Sequence, residues 1–172
     1  MEKFAFILHP LSLQDMEHLS PLMRYIPDPI IEACLKMKKP FKVSHITGIK
    51  SPYAEAEGWF IGCPLTAKQM VELPEEFVMD RIIESGKVAQ ELGAKIVGLG
   101  AFTSIVGDAG ITVAKNLDIA VTSGNSYTVA TAIQGTKQAA RMMGKDLKEC
   151  RAVVVGATGS IGATSVRLLA KE

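Results

Sequence analysis

Along this 172-residue chain the spacing of apolar and polar positions changes repeatedly, and each change marks a strand or a helix. Residues 3–8 (KFAFIL) read as a strand, followed by a polar helix start at 12–15. Three prolines predict irregular backbone over 21–29, and Ile30, Cys34 and Met37 recur at helical spacing in a short helix over 30–37. Residues 41–50 and 59–65 read as strands joined through Pro52 and Gly58, placed as antiparallel neighbours. The clearest helix opens at Pro74, with Glu75 and Glu76 near the positive end of its dipole. Val78, Ile82, Ala89 and Leu92 share one face of it, and Gly93 stops it. A strand over 95–99, a short helix over 111–115 and a strand over 118–122 follow. A long helix then starts at Ser123-Gly-Asn125, runs to Met143 and stops at Gly144. Strand and helix alternating in this way predict an α/β fold with a mostly parallel, three-layer sheet domain over 1–122. Residues 123–150 are expected to form a connecting helix and linker.

The last stretch carries the most specific signal. Val153, Val154 and Val155 are β-branched and uninterrupted, as in a strand buried on both faces of a parallel sheet. They run into Gly156-Ala-Thr-Gly-Ser-Ile-Gly162, a G-x-x-G-x-x-G turn opening a helix. Gly156 lets the chain leave the strand sharply, Gly159 lets backbone approach a diphosphate, and Gly162 lets the helix pack closely. Amides near Ser160 and Ile161 would face the phosphates, with the Thr158 hydroxyl beside them. The plainer reading is an ordinary tight strand-to-helix turn. On the cofactor reading, 151–172 form the first β-α unit of a truncated NAD(P)-binding Rossmann domain. Because the chain stops ten residues after Gly162, it is not expected to turn over alone. The bare edge of residues 152–156 makes a homodimer attractive.

Composition narrows the classes. With 48% hydrophobic and 22% charged residues the chain is an ordinary α/β protein, and a net charge of +1 argues against nucleic-acid binding. Cys34, Cys63 and Cys150 are odd in number and without paired spacing, which fits a reduced, cytoplasmic setting. No apolar run is long enough for a membrane span, and the N-terminus has no secretory leader pattern. His18 and His45 lack partners at ligand spacing, so no metal site is expected.

Two polar loops follow predicted strands, where ligands bind in open α/β sheets. In the first, Thr103 and Ser104 could donate to a substrate carbonyl or carboxylate. In the second, Asn125 and Ser126 stand at a helix N-terminus that favours negative charge, although plain capping by Ser123 or Asn125 explains the same residues. His9, just after the first strand, is a further cleft residue or a structural histidine. Cys63 lies in an apolar flank that suits an inert thiol. Lys36, Lys38, Lys39, Lys42 and Lys50 fall within fifteen residues without a carboxylate, either a solvated face or a docking surface for an acidic partner.

Taken together, GAFTSI at 100–105, TSGNSYT at 122–128, VVVGATGSIG at 153–162 and the opening FILHPLSL at 6–13 resemble the cyanobacterial long-chain acyl-[acyl-carrier-protein] reductases. The likeness extends to their shikimate-dehydrogenase-like and amino-acid-dehydrogenase-like bacterial relatives. It is closest from about Leu92 onward and poorest over 21–72. The resemblance implies an N-terminal substrate domain followed by an NADPH-binding domain, with NAD not excluded. Family members reduce a fatty acyl thioester to an aldehyde through a cysteine-bound acyl enzyme. By this likeness Gly156, Thr158, Gly159, Ser160, Ile161 and Gly162 fall on the cofactor loop, and His9, Thr103, Ser104, Asn125 and Ser126 on cleft positions. The acylated cysteine belongs to the later half of those enzymes, and none of Cys34, Cys63 or Cys150 takes its place. By its charge, the run Lys36, Lys38, Lys39 and Lys42 is a possible site for an acidic carrier protein. A dehydrogenase acting on a small acid, or a non-catalytic carrier-binding module, are the competing expectations.

Overall fold

The computed structural model describes residues 1–18 and 24–172 and divides into two compact units, Met1–Ser123 and Gly124–Glu172. Of the stretch expected to be irregular, 21–23 lie outside the described residues, as does the side chain of His18.

The first unit is built on a sheet of five strands: β1 (Glu2–Leu8), β2 (Phe41–Lys50), β3 (Glu55–Gly62), β4 (Ile96–Leu99) and β5 (Ala120–Thr122). Their order is β2-β3-β1-β4-β5; β3, β1, β4 and β5 run parallel, and β2 joins β3 antiparallel, as its sequence suggested. Two register shifts kink the β2–β3 ladder, which turns that exposed edge strand away from regular pairing.

Alternation along β1 separates two faces. Ala5 and Ile7 pair with Trp59 and Ile61 on one side and with Val97 and Leu99 on the other. All six are buried, and Val78, Ile82 and Ala89 of α3 (Glu75–Glu91) join them in one core. Pro74 caps the start of α3 and Gly93, at φ +88°, follows its end, so the sequence punctuation of this helix is realised. The opposite face was expected under a third layer, yet Phe6, Leu8 and Ile96 keep 36, 37 and 40% exposure there. Its aromatic rings lie over glycines of neighbouring strands: a Cβ on Gly98 would stand 2.6 Å from the Phe6 ring, and one on Gly58 2.7 Å from that of Phe4.

Smaller helices depart from expectation in instructive ways. Helix α1 (Asp28–Met37) starts earlier than its apolar spacing suggested, with a proline in its first turn. Its inward residues are Ile31 and Leu35, which pack on Leu13, whereas Ile30, Cys34 and Met37 are exposed. Two interleaved apolar rows compete on this helix, and only contact with the segment after β1 selects between them. Helix α2 (Ala67–Glu72) carries a full capping box between Thr66 and Gln69. Helix α4 (Ile111–Lys115) has the bounds its sequence predicted.

The second unit pairs α5 (Asn125–Met142) with α6 (Ser160–Leu169). Val129 and Ile133 of α5 and Ser165 of α6 are buried. Asn125 meets Ser160 at the helix starts, and Lys137 pairs with Glu172 at their ends, so the two helices run parallel. The valine run corrects the sequence reading: residues 151–154 form no strand, and Val153 and Val155 are 85 and 95% exposed. No strand among the described residues runs beside them, and β-branched propensity without a ladder partner is too weak to fix a strand. The strand–turn–helix unit is therefore present as turn and helix only. No helix among the described residues is long and apolar enough to cross a membrane.

Candidate functional site

In the parallel part of the sheet the chain steps from β1 to β3 on one side, then crosses to β4 on the other. The carboxyl ends of β1 and β4 thus flank a topological switch point, where α/β sheets open a crevice for ligands. His9 follows β1 there, and Gly100 to Ser104 follow β4. The two segments are tied together: His9 Nε2 accepts the Phe102 N–H at 3.2 Å, the Gly100 N–H donates to the Ile7 carbonyl, and the His9 and Phe102 rings meet edge to face. His9 Nδ1 lies 3.0 Å from the Pro10 carbonyl, so the neutral ring protonated on Nδ1 satisfies both contacts.

The hydroxyls in this loop bond to its own backbone. Thr103 is buried and donates to the Gly100 carbonyl at 2.7 Å, and Ser104 donates to that of Ala101 at 2.7 Å. The Thr103 proton closes the turn. Ala101, directly after Gly100, sits at φ +48°, a left-handed conformation that costs an alanine about 1 kcal/mol and clusters at ligand sites. Neither its strain nor the Phe102 amide could be found from residue types, because both depend on where β4 ends relative to β1. His9→Ala is expected to destabilise the first unit by about 1–2 kcal/mol, since the half-buried Phe102 N–H loses its acceptor. His9→Gln, which keeps an acceptor, should recover part of that loss in a urea titration. A second cleft of about 510 Å³ opens beside the β1 end, lined by Leu11, Ser12, Ile31, Thr66 and the Lys68–Glu32 ion pair.

In the second unit, the glycines of 156–162 divide the work. Gly156 takes φ +75°, which a side chain rarely adopts. A Cβ on Gly162 would lie 2.1 Å from the Gly156 carbonyl oxygen, so the third glycine admits the turn rather than a strand against the helix. Gly159 is the N-cap of α6 and closes a turn onto Gly156. No side chain caps α6, which leaves the first-turn amides at Ser160, Ile161 and Gly162 for an outside acceptor. Thr158 lies exposed in the same turn. Helix α5 likewise lacks a side-chain cap; Gly124 occupies that place at φ +72°. Asn125 is not a capping residue but donates from Nδ2 to Ser160 Oγ at 2.8 Å, and Ser126 is exposed beside it. Two residues assigned by sequence to different ligands therefore meet.

The thiols are sorted by burial. Cys63 is fully buried, and desolvation pushes its pKa up to about 11 against weaker help from Ser85, so it is no nucleophile at neutral pH. Cys34 and Cys150 are exposed. A thiol reagent at pH 8 is expected to label two cysteines rapidly and the third only in denaturant. Since the folded thiol holds its proton more tightly than the unfolded one, the associated stability is intact below pH 9 and is lost as pH rises toward 11. No group of metal-ligating side chains is found among the described residues.

No family model matches the chain. Among characterised proteins, it is 26% identical over 183 aligned positions to the long-chain acyl-[acyl-carrier-protein] reductase of Synechococcus elongatus, covering 96% of this chain and 51% of that enzyme. It is 33% identical over 128 residues to the aminotransferase PigE of a Serratia strain, covering 74% of this chain and 14% of that protein. The chain thus spans about half the length of the first relative and about a seventh of the second. It is an α/β protein distantly similar to a reductase.

Proposed function

We propose that this chain supplies the substrate-binding and nucleotide-entry part of an NAD(P)H-dependent reductase acting on a fatty acyl thioester. The observation that carries the reading is the glycine turn. Gly156 is left-handed, Gly162 is pressed on the Gly156 carbonyl, and an uncapped helix follows. A Cβ on Gly159 would meet only the Gly156 carbonyl oxygen, at 3.5 Å, so space remains above the first-turn amides for a diphosphate. Residues 156–162 fit that group, with Asn125 fixing the Ser160 hydroxyl beside it. The bound nicotinamide would supply hydride. In the first unit, the segments joined by His9 and Phe102 would hold and orient the thioester carbonyl beyond the β1 and β4 ends. Neither buried Cys63 nor exposed Cys34 or Cys150 lies in this loop pair, so the acyl-accepting thiol is sought elsewhere in the whole gene product. The similarity over 96% of the chain to an acyl-[acyl-carrier-protein] reductase supports the substrate class. The test is NADPH oxidation at 340 nm by the whole gene product with a long-chain acyl thioester, with aldehyde detected. Absence of both nucleotide binding and aldehyde sinks the proposal.

A further inference from the structure

We propose that the turn joining α1 to β2 is the docking surface for the acidic carrier protein that delivers the acyl group, an inference that rests on the reductase reading above. Lys36, Lys38, Lys39 and Lys42 cluster at the end of α1 and the start of β2, and none has an ion-pair partner among the described residues. The turn is held rather than loose. Arg81 of α3, itself paired with Glu84, donates to the Lys36 carbonyl at 2.9 Å, and the Lys38 ammonium stands 4.1 Å over the Phe41 ring. A solvated lysine face has no need of apolar residues in its midst, yet Met37 is 82% exposed and Val43 48%. Lysines beside exposed apolar side chains are the complement of an acidic helical surface with its own apolar centre.

The chain would be titrated with a fluorescently labelled acidic acyl carrier protein and followed by anisotropy at low and physiological ionic strength. Lys38→Glu/Lys39→Glu/Lys42→Glu is expected to raise Kd by about tenfold or more, with most of the salt dependence lost. Lys87→Glu/Lys115→Glu/Lys145→Glu changes net charge equally at other exposed positions and should alter Kd less than about threefold. Met37→Ser should weaken binding at both ionic strengths. Equal effects of the two triple variants, no wild-type binding at low salt, no effect of Met37→Ser, or equally tight duplex DNA binding with the same lysine dependence would each overturn the surface. Titration of the whole gene product with NADPH and with a carrier-free acyl thioester tests the reductase reading separately, and its success beside a failed carrier titration discards docking alone.

Discussion

Gly162→Ala is expected to remove nucleotide binding and loosen the second unit at once. Its Cβ would stand 2.1 Å from the Gly156 carbonyl oxygen, 2.8 Å from that carbonyl carbon and 3.0 Å from Ala157 Cα. All three are backbone atoms, so no rotamer change relieves the contact, and α6 or the turn must shift. Such overpacking costs about 2–3 kcal/mol, equivalent to roughly 30- to 150-fold in Kd if it falls wholly on the bound state. Gly159→Ala separates ligand contact from folding. Its Cβ meets only one backbone oxygen, at an ordinary 3.5 Å, and should leave thermal unfolding of the helices unchanged while obstructing a diphosphate. NADPH fluorescence titration of the whole gene product, beside a circular-dichroism melt, reads both. Undiminished affinity in Gly159→Ala would remove the diphosphate from this turn.

Gly100→Ala should strike the first unit as hard. The new methyl would lie 2.6 Å from the Ile7 carbonyl oxygen, the atom that accepts the Gly100 N–H, and 2.7 Å from the Phe6 ring. Relief requires β4 to part from β1 at the switch point, taking the Phe102 amide away from His9. About 3 kcal/mol of destabilisation is expected in urea, together with loss of acyl thioester binding and little change in NADPH affinity. A stable variant that still binds thioester would place the substrate elsewhere, the cleft beside Thr66 being the next place to probe.

How much of this was readable beforehand depends on how local the determining forces are. Helix α3 was legible from Pro74, its acidic first turn and Gly93, because caps and breakers act within a few residues. The strands of the first unit were legible to within a few residues, and so was the antiparallel β2–β3 pair. The inward face of α1 was not, since Ile31 and Leu35 are chosen by Leu13 rather than by their own spacing. The valine run misled because strand propensity is a fit to neighbours, and 151–154 have none among the described residues. At the switch point, residue types suggested His9 and the loop after β4. The strand order that makes them neighbours, and the burial of Thr103, are non-local facts.

The rings of Phe4 and Phe6 occupy volume that side chains on Gly58, Gly98 and Gly100 would otherwise fill. Bulk on this layer is therefore a shared quantity, lent by one backbone ribbon to the next. Enlarging a glycine and shrinking its phenylalanine are two halves of one exchange, so their energies should be strongly coupled, each change more tolerable with the other than alone.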